Sequence, residues 1–270
     1  MLLSADTRKR ILSIPFAREL SNLIVNNSNL RFYNHINKKR QFDKKIESLK
    51  DSCLGKRCFI VGNGPSLTLE QLNLIKNEDC FGANRIYKLF ENTDWRPKYY
   101  VIQDRYDLTK GVYEHLNVDY LFVSDFYWKE HGMNNPNAIC FHIKRTLRQV
   151  QNIPFSENVE RYVQAASTVT FSMIQFAAYM GYKEIYLIGM DHTYANETND
   201  KGVIIKTNNV KSHAFEDEKP NEVVANIKYM EDAYRVARQY CEKKEILIYN
   251  ATIGGALEVF ERKDFWEVVK

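Results

Sequence analysis

The stretch "CFIVGNGPSLTLEQL", Cys58–Leu72, sets a short apolar run against a Gly-Asn-Gly-Pro-Ser turn and a helix start. Glycines at 62 and 64 let backbone approach a ligand closely, and the helix that follows points N–H groups at an anion. Asn63 adds an amide suited to a phosphate oxygen, a ribose hydroxyl or a base edge. Pro65 fixes the turn, and Ser66 is placed to cap a helix with Leu69, Leu72 and Ile75 on its inner face. The loop fits neither standard phosphate pattern: no Lys follows Gly64, and Leu67 stands where G-x-G-x-x-G needs its third glycine. Without that Lys there is no γ-phosphate clamp, so ATP hydrolysis is a poor reading. A nucleotide with one phosphate or a diester-like linkage suits the loop better, and a plain tight turn with no ligand is the bland alternative.

Other polar residues fall in comparable places. In "FGANRIYKLF", Asn84 follows an apolar run and reads either as a second amide on the ligand or as a helix cap. "GMDHTY" supplies Asp191, His192, Thr193 and Tyr194. A tyrosine hydroxyl there can stabilise a departing phosphate without a metal, while Asp191 reads equally well as a partner of backbone amides. His213, in "NNVKSHAFED", is either a surface histidine or a general base whose pKa already lies near the working pH. No H-E-x-x-H, Asp-x-Asp or His/Cys cluster is present, so no metal site is expected. If a magnesium ion were used, Asp104 and Asp191 would be the obvious carboxylate pair.

These residues need elements to position them. Residues 7–52 read as helical. Buried strands read at Cys58–Val61, Cys80–Ala83, Lys98–Asp104, Asp119–Asp125, Asn137–Ile143, Lys183–Asp191 and Glu245–Thr252. A helix over Ser167–Gly181 closes on its glycine, and another spans about Val223–Glu242. Alternating strands and helices predict an α/β fold, a Rossmann-like mostly parallel sheet with helices on both faces, preceded by a helical basic N-terminal arm. The expected division is 1–55 for the arm and 56–270 for a nucleotide-sugar-binding catalytic domain. In such sheets ligands sit at the carboxyl ends of strands, where Gly62, Asn63, Gly64, Asn84, Gln103, Asp104, Asp191, His192, Asn250 and Thr252 all fall.

Composition narrows the class. The chain has 270 residues with 44% hydrophobic side chains, enough for one large α/β domain or two small ones. No run of 18 apolar residues suggests a membrane span, and the N-terminus does not have a signal-peptide layout. The five cysteines are scattered and form no C-x-x-C pair, which fits reduced thiols in a cytoplasmic protein. The Asn250-Ala251-Thr252 triplet therefore carries no glycosylation meaning. Residues 1–56 hold twelve Lys/Arg against five Asp/Glu, although the whole chain is only +4. This excess reads as a solvated helix packed on the body or as an arm that meets anionic lipid, placing the protein peripherally at the inner face of the cytoplasmic membrane. The remainder is mildly acidic with no aromatic–basic stripe, so nucleic acid is not an expected partner.

Taken together, "FIVGNGPSL", "FGANRIY", "GYKEIYLIGMD" and "IYNAT" resemble bacterial family 42 sialyltransferases and the wider group of motility accessory factor glycosyltransferases and 6-hydroxymethylpterin pyrophosphokinase-like proteins. The similarity runs over roughly 56–260 and leaves the basic arm uncovered. It implies a bacterial surface-glycan (polysaccharide biosynthesis) enzyme: an inverting, metal-independent transferase of a nonulosonic sugar from a CMP-sugar donor to a glycan acceptor. Asn63 and Asn84 match the asparagines that bind the donor. Tyr194 is the approximate match to tyrosines that hold the leaving phosphate, since Thr193 occupies the first expected position. His213, the only histidine after His192, is the candidate for the family's base. The family's Thr-Ser-Gly donor contact falls at "AASTVT", where Ser167, Thr168 or Thr170 would substitute. The resemblance also suggests a homo-oligomer. Two other functions stay open: a magnesium-dependent pyrophosphokinase acting on a hydroxymethylpterin, and a nucleotide-sugar-binding module without catalysis.

Overall fold

The computed structural model describes residues 15–104, 111–145, 153–194, 196–198, 204–206, 213–215 and 225–270. In chain order the helices are α1 (Pro15–Arg40), α2 (Phe42–Glu47), α3 (Leu69–Leu74), α4 (Asp125–His131), α5 (Val169–Tyr179), α6 (Ile227–Lys243) and α7 (Phe265–Val268), with 3₁₀ segments at Asn84–Asn92 and Tyr113–His115. The strands are β1 (Arg57–Val61), β2 (Cys80–Ala83), β3 (Tyr99–Ile102), β4 (Tyr120–Ser124), β5 (Ala138–Phe141), β6 (Ile143–Arg145), β7 (Val163–Ala165), β8 (Glu184–Ile188), β9 (Asn196–Thr198), β10 (Ile204–Lys206), β11 (Leu247–Asn250) and β12 (Glu261–Arg262).

Among the described residues, eight strands form one sheet in the order β12-β11-β8-β1-β2-β3-β4-β5, and every neighbouring pair is parallel. The chain therefore starts in the middle at β1, builds outward to β5, and returns to add β8 and β11 on the other side. The point where this order reverses lies between β1 and β8, and the carboxyl ends of the strands there are where such a sheet holds its ligand crevice. Helices cover both faces, so the central strands read as continuous apolar runs: Cys58, Phe59, Ile60 and Val61 are all buried, as are Ile185, Leu187 and Ile188.

Pairing register places aromatic rings side by side across the sheet. Phe59 stacks on Tyr186, and Tyr186 stacks on Tyr249. On other strands Phe81 stacks on Tyr99 and Tyr99 on Tyr120, while Phe122 meets Phe176 of α5 at 4.6 Å. Each fully buried ring contributes on the order of 1.5–3 kcal/mol of burial. The five cysteines are buried free thiols; burial pushes Cys80 and Cys241 up to about 12, which leaves them unreactive.

Within the described part of 7–52, the helix is interrupted at Gln41 and gives way to turns after Glu47. Gln41 adopts a left-handed backbone (φ 51°) between α1 and α2, and turns follow to Gly55. Residues 7–14 of that expected helix lie outside the described residues, as do 223–224 of the expected Val223–Glu242 helix. Asn26 grips the backbone of β6 in both directions, its Nδ2 donating to Arg145 O and its Oδ1 accepting from Arg145 N. Phe42 and Ile46 of α2 are fully buried.

Asp125 does not end β4 as an open carboxylate. It is buried at the start of α4, where it meets His142 Nδ1 at 2.6 Å and accepts from Ile143 N.

The cap of α3 is also displaced. Thr68, not Ser66, is the N-cap: its hydroxyl accepts from Gln71 N while Gln71 Oε1 accepts from Thr68 N, a reciprocal capping box. Thr68→Ala is expected to lower stability by about 1 kcal/mol in urea unfolding, because it removes one half of that pair.

Candidate active site at the topological switch point

The loops after β1 and β8 are pressed together. Gly62 N donates to Ile188 O, and Gly64 N donates to Gly189 O. A Cβ on Gly62 would lie 2.3 Å from Gly189 O, and one on Gly64 would lie 1.9 Å from Asp191 Oδ2. The glycines are thus required by the neighbouring loop of the same chain, a demand separate from the close ligand approach read from the sequence. Asp191 closes the contact. One oxygen accepts from Ser66 Oγ at 2.7 Å, and both lie within reach of Ser66 N at 3.1 and 3.3 Å. Burial pushes the Asp191 carboxyl upward, and the Ser66 hydrogen bonds oppose that rise. Ser66 and Asp191 therefore brace each other, and neither offers its hydrogen-bonding atoms freely to a nucleotide.

A second brace comes from β11. Asn250, predicted as a donor-binding residue, is buried with both amide atoms engaged: Nδ2 donates to Leu257 O at 2.7 Å and Oδ1 accepts from Thr252 N at 3.0 Å. Thr252 Oγ1 in turn accepts from Met190 N. Asn250 thus supports the β8 loop at one remove, which is a correction to its expected role. Arg262 holds the same turn by donating to the carbonyls of Thr252, Gly254 and Gly255. Ala256 N donates to Asp191 O. A doubled glycine after "NAT" was the available signal for this close approach, since a Cβ on Gly255 would lie 2.9 Å from Asp191 Cα.

The two asparagines stand differently. Asn63 Nδ2 donates to Ala83 O at 3.3 Å, which ties the β1 loop to the end of β2 and aims Oδ1 elsewhere. Asn84 has a left-handed backbone (φ 52°), and its carbonyl accepts from both the Tyr100 and the Tyr113 hydroxyls. Those two tyrosines, unflagged by any motif, hold Asn84 in place. Asn63 Oδ1 and Asn84 Oδ1 are both buried acceptors with no hydrogen-bond partner among the described residues. An unfilled buried carbonyl costs about 1–3 kcal/mol, so the pair marks where a donor-bearing ligand would be stabilised.

The remaining predicted residues gather around this centre. Ala214 N donates to Asn63 O at 2.8 Å, so the backbone itself pins the segment 213–215 beside the β1 loop, with His213 stacked on Phe215. Thr168 caps α5 through Thr170 N and meets the Tyr234 hydroxyl at 3.2 Å, so its hydroxyl is engaged, whereas Ser167 is exposed on a left-handed backbone (φ 58°). Thr170 Oγ1 contacts Met190 Sδ at 3.5 Å and brings the start of α5 against the β8 loop. Tyr194 is half-buried with its ring edge-on to His192. Left-handed backbone at non-glycine residues costs on the order of 1–3 kcal/mol, and Asn84, Ser167 and His192 all carry it at strand or helix ends around the crevice.

His192 was noted in the sequence but given no role. It is buried, its Nε2 is 3.7 Å from Glu231 Oε1, beyond hydrogen-bond distance, and its ring meets Tyr234. Burial lowers its pKa below 6.5, partly opposed by Glu231. Among the described residues no cluster of three or more His, Cys, Asp or Glu side chains is arranged to hold a metal ion.

Two experiments test this description. Gly64→Ala is expected to destabilise the fold by about 3 kcal/mol or prevent folding, because its methyl overlaps the Asp191 carboxylate; Gly254→Ala, whose Cβ meets open space, should cost only the left-handed backbone, about 1 kcal/mol. For His192 the folded pKa lies below the unfolded value. The unfolded chain then binds the extra proton first, and this residue's contribution to stability falls as pH drops through about 6.5. Between about pH 7.5 and pH 5.5, urea midpoints should fall further for the wild type than for His192→Asn.

No curated protein matches the chain. Among solved structures, the sialyltransferase CstII from Campylobacter jejuni in complex with the substrate analogue CMP-3FNeuAc is similar at 18% identity, with a TM-score of 0.41 over 77% of this chain and 85% of that one. The same enzyme in complex with cytidine-5'-monophosphate gives 19% identity and a TM-score of 0.39 over 78% and 88%. The family model described as 6-hydroxymethylpterin diphosphokinase MptE-like matches residues 30–197, which span β1 to β8 and the whole of the crevice's two central loops. By that match, over more than half of its length, the chain belongs to the MptE-like family.

Proposed function

We propose that the protein is an inverting glycosyltransferase that moves a sialic-acid-like nonulosonic sugar from a CMP donor to a hydroxyl of a surface glycan without a metal ion. One observation carries this reading: two unfilled, buried acceptors, Asn63 Oδ1 and Asn84 Oδ1, stand at adjacent strand ends, and the segment holding His213 is hydrogen-bonded to Asn63 itself. Because Asn63 Nδ2 already donates to Ala83, its open atom is an acceptor. It suits a ribose hydroxyl or the exocyclic amine of a base and repels a phosphate oxygen. Asn63 and Asn84 would then orient the nucleoside, with Ser167 at the exposed start of α5 as a further contact.

In the transfer, His213 takes the proton of the acceptor hydroxyl as its oxygen bonds to the anomeric carbon from the face opposite the nucleotide. The bond from that carbon to the phosphate oxygen breaks and CMP leaves with the electron pair, its charge stabilised by the Tyr194 hydroxyl. Asp191 does not join the chemistry; it keeps the Ser66 turn closed beneath it.

The family's description favours a second reading, diphosphate transfer from ATP to a hydroxymethylpterin. Asp104 is exposed just past β3, as a magnesium ligand would need to be, but its proposed partner Asp191 is already engaged by Ser66. The two readings separate in calorimetry with CMP, CDP, UDP, GDP and ATP, each with magnesium and with EDTA. CMP or CDP binding that survives EDTA is expected, and ATP binding that requires magnesium would transfer the assignment to the diphosphokinase. Asn63→Ala should weaken CMP binding about tenfold. His213→Ala should keep CMP binding and lower turnover by roughly 10² or more; unchanged turnover would remove His213 as the base, and CMP binding with no turnover by the wild type would leave a binding module.

A further inference from the structure

We infer that the outward face of α1 docks the protein on an anionic membrane surface. Among the described residues, the inward face of the helix is packed on the body of the protein. Asn26 grips β6, Lys129 Nζ of α4 reaches Ser28 Oγ at 2.6 Å and Asn29 Oδ1 at 3.3 Å, and Tyr33 lies buried beside the His142 ring. Held this way, α1 presents its other face as a fixed surface of the folded protein.

That outward face is apolar at one end and cationic at the other. Leu20, Leu23 and Ile24 are 49%, 59% and 61% exposed, and Leu30 follows them on the same side. At about 100° per residue, Leu20, Ile24, Arg31 and Lys38 fall within an arc of about 40°, and Leu23 and Leu30 lie roughly 60–80° to one side of it. Past Leu30 the exposed positions include Arg31, Lys38 and Lys39, while Arg40 turns back over the Trp128 ring, and α2 adds exposed Lys44 and Lys45. The acidic side chains of that stretch are few: Asp43 accepts from Lys44 N, and Glu47 is exposed.

Charge selects the occupant. A second copy laid on this face would set one lysine and arginine row against another, or leave the leucines covered and the cations unmatched. A bilayer with anionic headgroups satisfies both halves at once: the leucine end enters the interface and the lysine end lies over phosphates. Among the described residues no helix is long and apolar enough to cross a membrane, so the contact is peripheral.

The test is co-sedimentation of the full chain with phosphatidylcholine vesicles, with and without phosphatidylglycerol. Binding that depends on phosphatidylglycerol is expected for the wild type. Leu23→Gln/Ile24→Gln and Lys38→Glu/Lys39→Glu should each weaken it about tenfold or more, with helix content and nucleotide binding unchanged. Failure of the wild type to bind anionic vesicles overturns the proposal, as does equal binding by Leu23→Gln/Ile24→Gln. A wild-type dimer that this variant converts to monomer, with no vesicle binding, would assign the face to a second copy instead.

Discussion

The contact between the loops after β1 and β8 is tighter than any side chain allows, and the rest of the site depends on it. Gly62 and Gly64 pass within hydrogen-bond distance of the backbone from Ile188 to Gly189, and Asp191 fills the space a Cβ at 64 would take. This brings the first strand of the sheet and the first strand of its second half together at their carboxyl ends. Everything else at the crevice is referenced to that junction: Asn63 leans across to β2, Thr252 and Arg262 hold the far side, and α5 abuts Met190. The carboxylate of Asp191 is kept in a buried setting that disfavours its charge, and the Ser66 amide and hydroxyl offset that penalty.

Much of the sheet was legible because parallel strands buried on both faces leave uninterrupted apolar runs. Cys80–Ala83 emerges with the same limits from sequence and structure, and the other central strands differ only at their ends. The strand order was not legible. Nothing local in "EILIYN" says that it pairs with β8, because pairing follows from long-range packing such as the Phe59–Tyr186–Tyr249 stack. The left-handed break at Gln41 was hidden as well, since the residues on either side favour helix and the turn is imposed by burying Phe42 and Ile46. Strand β12 consists of two charged residues and carries no strand pattern at all.

At the site, residue type and position along a strand were informative, while the atom on offer was not. Asn63 and Asn84 were recognisable as polar residues at strand ends, and His213 as a histidine in a polar loop. Which amide atom of Asn63 remains open depends on Ala83, a residue with no distinguishing chemistry of its own. Asn250 shows the opposite outcome. Its place at a strand end suggested a ligand contact, yet the chain folds back at Leu257 and Thr252 and occupies both of its amide atoms. A strand-end position therefore nominates a residue, and local hydrogen-bond accounting decides whether it faces outward or inward.

The segment carrying His213 is fastened to the Asn63 loop by main-chain atoms, Ala214 N to Asn63 O. Such a fastening is indifferent to side-chain identity: any residue except proline at position 214 still supplies the N–H. The side chain at 214 is then free to diverge while the backbone on either side stays beside the β1 loop, with the His213 ring resting on Phe215. A chain built this way can change the side chains that line this edge of the crevice while its backbone stays where it is.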